Sequence, residues 1–566
     1  MLRPVLDTFI FFAQHLVLTF ALAFVCTWII SWRTRPASAP TGLSNALWAP
    51  LSSRAARRWA TVMSLGFLAI FAAIGVWYTT VNGFAGEVEP VVSCLSWLVQ
   101  SGQPLYNDFA AAERYSVLYG PSVFLTNGIF LKVLGPSLAS AKLASIFGTA
   151  GSLVFLYAAL ARQRRDLLAL IITALAVLYY WTQGFAVYLV RPDALLLFAV
   201  GLGLFAAVGQ RRVLSLITVA VTAGFAINLK VHGAVYFLPI FVLVFQRFGR
   251  RGVLLTGLGT MVVVISPFFL YPQVSLINYI GWLKNAMSHG LESDTLGLTF
   301  RYAGFLLLPL VGVILAASDR RRLLRENRLA LMALFPVYGL TLLLASKPGA
   351  GPVHLLPVVP TTMYLLATLA RTALFGRNLM PARFPLRQAL ITATVLTAVL
   401  SGSVNAYRAV RFVDYQIGQT PDLALDLQEI MGQYPELTIS MACGGENKNF
   451  RTTWLRPLLV FADNPLLIDP ISVMDSSLSG RELSPETFRA LTEGRISVWL
   501  VPRSQKPFDK ENWYAPHNSL FSKEFQEHFQ ACYTPRGHSR YFDLWFWNGL
   551  PEVEAEIPHY ATGPAN

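Results

Sequence analysis

Long apolar segments recur along most of the chain, and no other feature of the sequence restricts its fold as strongly. A helix needs about 20 apolar residues to cross a bilayer. Twelve segments are candidates for such helices: 9–30, 59–81, 138–161, 167–185, 194–208, 213–229, 233–245, 253–270, 302–317, 329–346, 354–374 and 388–404. Charged residues make up only 13% of the chain, against about 25% in a typical soluble domain. The sequence therefore predicts a polytopic α-helical membrane protein with about twelve transmembrane helices.

Basic residues follow alternate apolar segments, and their placement sets the predicted orientation. The formal net charge of +14 suggests, at first sight, a nucleic-acid partner. However, residues 1–404 carry a net charge of +20, whereas residues 405–566 carry −6. Loops rich in Lys and Arg stay on the cytoplasmic side of membrane proteins. We therefore predict cytoplasmic basic loops, both ends of the twelve-helix region outside the cytoplasm, and no nucleic-acid partner.

The composition changes near residue 405, where acids, prolines and polar residues become more frequent. The predicted regions are an additional N-terminal helix with a basic cytoplasmic loop (1–58), the main transmembrane domain (59–404), a small outer α/β domain (405–550) and a flexible tail (551–566). Short runs of β-forming residues predict strands within 437–443, 496–502 and 541–548. Helical stretches are predicted at 421–432, before the first strand, and at 485–493, between the first two.

The first outer loop, residues 82–137, carries acids between two transmembrane segments. Carboxylates beside a membrane are costly unless they face water or a ligand. Glu87 and Glu89 directly follow the second predicted span, and a carboxylate suits the base that takes a proton from an attacking hydroxyl. The choice between Glu87 and Glu89 stays open, and a solvated turn is the structural alternative. In the same loop, Val117–Leu134 is predicted to lie on the membrane surface, although crossing remains an alternative.

Positively charged residues recur at the outer ends of three predicted spans: Arg191, Lys230 and Lys347. A guanidinium offers paired donors and a permanent charge, which suit a phosphate group. We predict that these residues surround one polar site and that His354 joins them in binding a phosphate. The structural alternative is that each side chain reaches toward lipid headgroups.

Further polar residues at the same face are candidate substrate contacts: Asp108, Asp193, His232, His289 and Glu292. Asp193 also suits the start of a helix, where a negative charge is favourable. Cys443 and Cys532 both fall in the outer domain and are a candidate disulfide if that domain lies outside the cytoplasm. The sequence contains no CxxC motif and no recognisable metal-binding motif. Nucleotide-binding glycine loops and a GxSxG nucleophile motif are also absent from it.

Three features together resemble the GT-C glycosyltransferases. They are the acidic first outer loop, the sequence Tyr119-Gly120-Pro121 at the start of a helix, and Arg191-Pro192-Asp193 at a later span. Within this superfamily, the sequence resembles the bacterial group that includes the protein O-mannosyltransferases, the lipid A aminoarabinose transferases and the lipid A galacturonosyltransferases. The resemblance covers roughly residues 59–400.

This resemblance implies an inverting transfer of a sugar from a polyprenyl phosphate to a glycan, lipid A or protein acceptor. The reaction would take place at the periplasmic face of a bacterial inner membrane, with the C-terminal domain also periplasmic. The catalytic acid of the family would correspond to Glu87 or Glu89, and Tyr119 becomes a further candidate substrate contact. A divalent cation is an open expectation.

Two other functions are compatible with the same sequence. The first is a multi-span transporter or flippase of lipid-linked sugars, although such proteins usually contain internal repeats and polar residues at the membrane centre. The second is a membrane-anchored binding or assembly protein whose outer domain is the active part. The charges of this chain lie at span ends, and the outer domain shows no obvious catalytic cluster in the sequence. We therefore favour the glycosyltransferase.

Overall fold

The computed structural model describes residues 15–33, 54–162, 166–317, 319–375, 385–445, 447–515 and 517–551. The start of the first predicted span, most of the basic loop of residues 31–58 and the tail from residue 552 lie outside these ranges. Eight helices in the described part of the chain are long and apolar enough to cross a membrane. Shorter apolar helices add to them, and a small sheet follows near the C-terminus.

Each of the twelve predicted spans coincides with a helix or part of one. The long apolar helices are Leu16–Arg33, Arg54–Thr80, Leu138–Ala161, Asp166–Trp181, Pro192–Ala207, Arg212–Leu229, Leu238–Leu270, Ser293–Ala316, Arg328–Ala345, Val359–Phe375 and Pro385–Gly418. Helix Leu238–Leu270 contains the predicted span 253–270 and most of the predicted span 233–245, whose first residues form the short helix Gly233–Tyr236. Gly249 separates the two spans, because it breaks the helical backbone with a φ of 68°. Glycine adopts this conformation at little cost. The basic residues around Gly249 thus form the turn between two helical segments.

About half of the first outer loop is helical, and the helix in its first half was not predicted from the sequence. Helix Val88–Gln100 begins directly after Glu87 and is buried along most of its length. Helix Pro121–Leu134 has 14 residues and packs against it. At a rise of about 1.5 Å per residue, such a helix is about 21 Å long, which is less than the hydrocarbon thickness of a bilayer. This length favours the predicted surface or re-entrant helix over a separate span.

The C-terminal domain is built on a mixed four-stranded sheet. The strands are β1 (Ile439–Met441), β2 (Val498–Pro502), β3 (Tyr533–His538) and β4 (Phe542–Trp547). Their order is β1-β2-β4-β3, with β1 parallel to β2 and the other pairs antiparallel. The three predicted strands correspond to β1, β2 and β4, and β3 was not predicted.

Short helices surround this sheet. They are Leu423–Gln433, Pro457–Phe461, Pro470–Ser477, Pro485–Thr492 and Lys523–Cys532, with a 3-10 helix at Asn447–Leu455. The first and fourth confirm the predicted helical stretches. The last long apolar helix, Pro385–Gly418, continues through residue 405, so the change in composition falls within one unbroken helix that leads into this domain.

The first outer loop is joined to the C-terminal domain by backbone hydrogen bonds. The Arg114 N–H donates to the Leu467 carbonyl at 2.7 Å, and the Asp469 N–H donates to the Arg114 carbonyl at 2.8 Å. Arg114 thereby forms a parallel β-bridge with Ile468. The hydroxyl of Thr487 also donates to the carbonyl of Ala112 at 2.8 Å. The loop is therefore held between the membrane helices and the outer domain.

The disulfide predicted between Cys443 and Cys532 is absent, and both residues are free thiols. Cys443 follows β1, whereas Cys532 directly precedes β3 at the opposite edge of the sheet. Three inter-strand steps separate these edges by about 14 Å. A disulfide requires Cα atoms less than about 7 Å apart, so the sheet order prevents the bond.

Candidate active site

The carboxylate of Glu89 is fully buried and accepts hydrogen bonds on both oxygens. The Tyr78 hydroxyl lies 2.7 and 2.8 Å from the two oxygens, and the N–H groups of Ala85, Gly86 and Val190 donate at 2.8–3.0 Å. The exposed fraction of Glu89 is 0%. These donors occupy the positions that an acceptor hydroxyl would need, so the surroundings of Glu89 argue against the predicted role of base.

Glu89 instead fixes the backbone next to Arg191, which together with Lys230 and Asp193 forms a group that we call the basic cluster. Its bond to the Val190 N–H joins the first outer loop to the residue that precedes Arg191. Arg191 and Pro192 begin helix Pro192–Ala207, and proline suits this first position because the helix needs no N–H there. The sequence distance of 101 residues between Glu89 and Val190 explains why this contact was not predicted.

Asp193 joins two of the predicted phosphate ligands. Its carboxylate lies 3.2 Å from Arg191 Nε and 2.8 Å from Lys230 Nζ. Asp193 is 1% exposed and Lys230 5%, whereas the side chain of Arg191 is 19% exposed. Burying cations is costly unless they are paired. Asp193 therefore makes it feasible to hold both cations here, and one net positive charge remains for a ligand.

Tyr119 and Gly120 close the same cluster from the first outer loop. Lys230 Nζ lies 5.5 Å from the centre of the Tyr119 ring. A side chain at Gly120 would place its Cβ 2.2 Å from the carbonyl oxygen of Asn228. Only glycine allows the loop to approach the end of helix Arg212–Leu229 this closely. Burial, chiefly, raises the pKa of Tyr119 to about 12, with Arg191 opposing the shift, so its hydroxyl is protonated at neutral pH and can donate a hydrogen bond.

Two histidines and Lys347 extend the cluster. The rings of His232 and His354 lie 5.1 Å apart between centroids. His232 Nε2 and His354 Nδ1 are buried and make no hydrogen bond to the described residues. Lys347 Nζ donates to the carbonyl of Ala286 at 2.9 Å, and its charge acts on His232. Lys347 and Arg191 thus have separate partners, but both neighbour the histidine pair.

Glu87 differs from Glu89 because its carboxylate has no partner among the described residues. It is partly exposed and does not bond to the helix that it begins. Its charge acts on Tyr119 and Arg191 of the membrane domain and on Tyr514 of the C-terminal domain. Glu87 therefore lies within electrostatic range of both the basic cluster and the C-terminal domain.

The C-terminal domain contributes groups within this range that were not predicted from the sequence. Asp475 lies on helix Pro470–Ser477 and is half-buried, and its carboxylate makes no hydrogen bond or ion pair to the described residues. Its charge acts on Tyr119 and Tyr514. A Cβ at Gly349, two residues after Lys347, would lie 2.3 Å from the Tyr514 hydroxyl. Burial, followed by the charge of Asp469, raises the pKa of Asp475 to about 7.

Three of the predicted substrate contacts have structural roles. Asp108 is exposed and accepts the N–H two residues later, within its own turn. His289 contacts the carbonyl oxygen of Asp475 through Nε2 at 3.0 Å, which connects the membrane domain to the outer domain. Glu292 is exposed, and its carboxylate accepts from Thr295 at the start of a helix. None of the three donates to or accepts from the cluster around Asp193 among the described contacts.

The described residues contain no group of three or more His, Cys, Asp or Glu side chains that could hold a metal ion. Among the described residues, Asp193 is the carboxylate whose charge acts on His232 and His354, and Lys230 and Arg191 already pair with it. This donor set suits an anionic ligand better than a divalent cation.

Comparisons with known proteins identify the fold. No protein-family profile matches the sequence, and no curated protein matches it. The structure is similar to ArnT from Cupriavidus metallidurans bound to undecaprenyl phosphate, with 13% identity, a TM-score of 0.52, and 85% of this chain and 98% of that chain covered. The apo state of the same protein gives 14% identity and the same TM-score and coverage.

A weaker likeness to the Archaeoglobus fulgidus oligosaccharyltransferase has 12% identity and a TM-score of 0.43, which is too low to support an argument. The likeness to ArnT extends over almost the whole of that protein. The acidic first outer loop and the Arg191-Pro192-Asp193 sequence had indicated the same architecture. The chain therefore has the fold of this ArnT protein, as the resemblance to the GT-C glycosyltransferases implied.

Proposed function

We propose that this protein is an inverting glycosyltransferase that moves a sugar from a polyprenyl phosphate to a hydroxyl group of an acceptor. The observation that carries the proposal is the unpaired carboxylate of Glu87 beside the buried Arg191-Asp193-Lys230 cluster. A proton acceptor and a set of phosphate ligands are the two parts that this reaction requires. The ArnT-like fold supports the proposal, because that protein was crystallised with undecaprenyl phosphate.

The donor phosphate would bind to the basic cluster. Arg191 pairs with Asp193 through Nε. Its two terminal nitrogens make no hydrogen bond to the described residues, so they are available to phosphate oxygens. Lys230 lies beside it on the other oxygen of Asp193. Lys347, His354 and His232 would supply further contacts. Fixed positive charge at the phosphate favours departure, because the negative charge of the leaving group increases in the transition state.

Glu87 would act as the base. The acceptor oxygen attacks the anomeric carbon on the face opposite the phosphate, Glu87 takes the hydroxyl proton, and the bond between the anomeric carbon and the phosphate oxygen breaks. The bonding electrons leave with polyprenyl phosphate, and the anomeric configuration inverts. Glu89 would be a positioning residue, since it holds the loop that carries Glu87 against the backbone that precedes Arg191.

The C-terminal domain would complete the acceptor side of the site. The charges of Asp475 and Glu87 both act on Tyr514, and Asp475 and Tyr514 can form hydrogen bonds to hydroxyl groups. The acceptor class follows from this: a polyol such as a glycan or the sugar part of a lipid, or a hydroxyl of a protein. A divalent cation remains an open expectation, although the donor set fits one poorly.

The proposal is tested by a transfer assay on membranes containing this chain, with radiolabelled polyprenyl-phosphate sugars as donors. We expect transfer by the natural chain and none by the double variant Glu87→Gln/Glu89→Gln. A double variant Glu113→Gln/Glu493→Gln removes two acids that contact Arg495 away from the cluster and should retain transfer. Full activity of the first double variant would refute the proposal, and movement of the donor across vesicles without transfer would favour a flippase.

A further inference from the structure

A second cluster of cations lies at the opposite end of the helix that carries Arg191. A cavity of about 380 Å³ is lined by Ala159, Arg162, Ala207, Val208, Leu243, Gln246, Arg247, Tyr364 and Arg371. Ala207 and Val208 end the helix that Arg191 begins. This helix has 16 residues, so about 24 Å separate the cavity from the candidate active site.

The cavity has three guanidinium groups and no acidic lining residue among the described side chains. Arg162 donates from Nη1 to the carbonyl of Phe205 at 2.7 Å and lies 3.7 Å above the ring of that residue. Arg247 is close enough for its charge to act on Arg162. Like charges without a counter-ion repel one another, so the arrangement favours an anionic ligand.

A neighbouring cavity of about 250 Å³ shares Leu243, Gln246 and Tyr364 with the first and includes Glu326. That carboxylate is engaged by Arg322, whose Nε lies 2.7 Å from it. The acid of this neighbouring cavity therefore has its own cation. Leu243, Gln246 and Tyr364 form the wall that the two cavities share.

We propose that this cavity binds the phosphate headgroup of an anionic phospholipid from the membrane leaflet opposite the candidate active site. The arginines lie at the ends of membrane-crossing helices or at the Gly249 turn, which is where headgroups lie. Ala159, Ala207 and Leu243 form an apolar wall, which suits the start of acyl chains and offers nothing to a free phosphate. Basic pockets between transmembrane helices commonly hold such headgroups.

The experiment uses the full chain, purified and depleted of lipid in detergent, with binding of dioleoyl phosphatidylglycerol measured by native mass spectrometry. The test variant is Arg247→Gln/Arg371→Gln, which keeps Arg162 because that residue also bonds to Phe205. We expect about fivefold weaker binding for each arginine, or about 25-fold for the pair. Dioleoyl phosphatidylcholine should bind weakly and equally to the natural chain and the variant.

The matched control is Arg320→Gln/Arg321→Gln, which removes two exposed arginines from the short helix Arg320–Glu326. It has the same net charge as the test variant and should change phosphatidylglycerol binding less than twofold. Equal losses in both double variants would overturn the proposal, since general surface charge would then explain the binding. Inorganic phosphate should not compete at millimolar concentration, and full competition would overturn the lipid assignment in favour of a free anion.

Melting temperatures of both double variants in phosphatidylcholine should match the natural chain. If the test pair does not fold, Arg371→Gln alone is the replacement, with an expected fivefold loss. Unchanged phosphatidylglycerol binding by a folded test variant would refute the site. Sugar transfer in phosphatidylcholine should be unaffected by these substitutions, which separates this inference from the proposed function.

Discussion

The two ends of the Glu87-Val88-Glu89 sequence lie in opposite surroundings. Around Glu89, three backbone N–H groups and the Tyr78 hydroxyl occupy the carboxylate, and no surface is exposed. Around Glu87, the carboxylate is unpaired and its charge acts on groups from two domains. The same side chain thus serves as a structural anchor in one place and as a candidate proton acceptor two residues away. Hydrogen-bond occupancy, rather than residue type, separates the two roles.

The strongest test of this comparison is Glu87→Gln alone. We expect the transfer rate to fall by about 10²–10⁴-fold, the usual contribution of a general base, with little change in the KM for the donor. The melting temperature should stay the same, because the carboxylate makes no bond that the fold requires. Glu113→Gln is the control in the same loop, since Glu113 forms a half-exposed ion pair with Arg495. Full activity of the Glu87→Gln variant would show that Glu87 is not the proton acceptor.

Glu89→Gln should mainly affect stability. An amide has one acceptor oxygen, so at least one buried N–H would lose its partner, at a cost of about 1–3 kcal/mol per donor. We expect the free energy of unfolding to fall by about 2–4 kcal/mol, together with a higher KM for the donor because the Val190–Arg191 backbone is released. Denaturant unfolding and donor titration measure the two effects. An unchanged unfolding midpoint would contradict the anchor role.

Gly120→Ala should disturb the packing of the first outer loop against the basic cluster. The new Cβ would lie 2.2 Å from the Asn228 carbonyl oxygen, and overpacking of this kind costs about 1–3 kcal/mol. We expect a lower melting temperature and a weaker donor interaction, since Tyr119 would move away from Lys230. Gly290→Ala is a poor control because its φ is 72°, whereas Gly297 has open space around it and an ordinary φ. Gly297→Ala should therefore leave both measurements unchanged.

The smallest expected effect concerns Asp475 and pH. Its pKa in the folded protein is raised to about 7 by burial and then by Asp469, whereas an unfolded aspartate titrates near about 3.9. The folded state therefore binds this proton more tightly, so the associated stability is present below about pH 4 and is lost as the pH rises toward about 7. Asp475→Asn stays neutral and should be more stable than the natural chain at pH 8 but not at pH 4. Thermal melting at both pH values measures this, and a constant difference would show that Asp475 does not titrate in this range.

Much of the fold could be predicted because hydrophobic segments and β-forming runs are local signals. The twelve predicted spans and strands β1, β2 and β4 have counterparts in the structure. Strand β3, Tyr533–His538, contains Pro535 and Gly537 and carries no strong strand pattern. The disulfide prediction failed for a related reason, because the order of strands in the sheet depends on packing that no short sequence segment encodes.

The candidate site was predicted in part. Arg191 and Lys230 could be identified from their positions at span ends, and Asp193 from its place beside Arg191. The choice between Glu87 and Glu89 could not be made, because it depends on the bond to Val190, about 100 residues later in the chain. Asp475 could not be found, because its position depends on how the C-terminal domain packs on the membrane domain.

The β-bridge at Arg114 has a consequence for how this protein can evolve. The outer domain completes a backbone pairing that begins in the first outer loop, so it is not an exchangeable module. Replacing it with an unrelated domain would leave peptide groups of that loop without partners, whatever acceptor the new domain recognised. If the proposed function holds, a lineage would therefore change its acceptor more readily by point substitutions on helix Pro470–Ser477 and near Tyr514 than by recombination of whole domains.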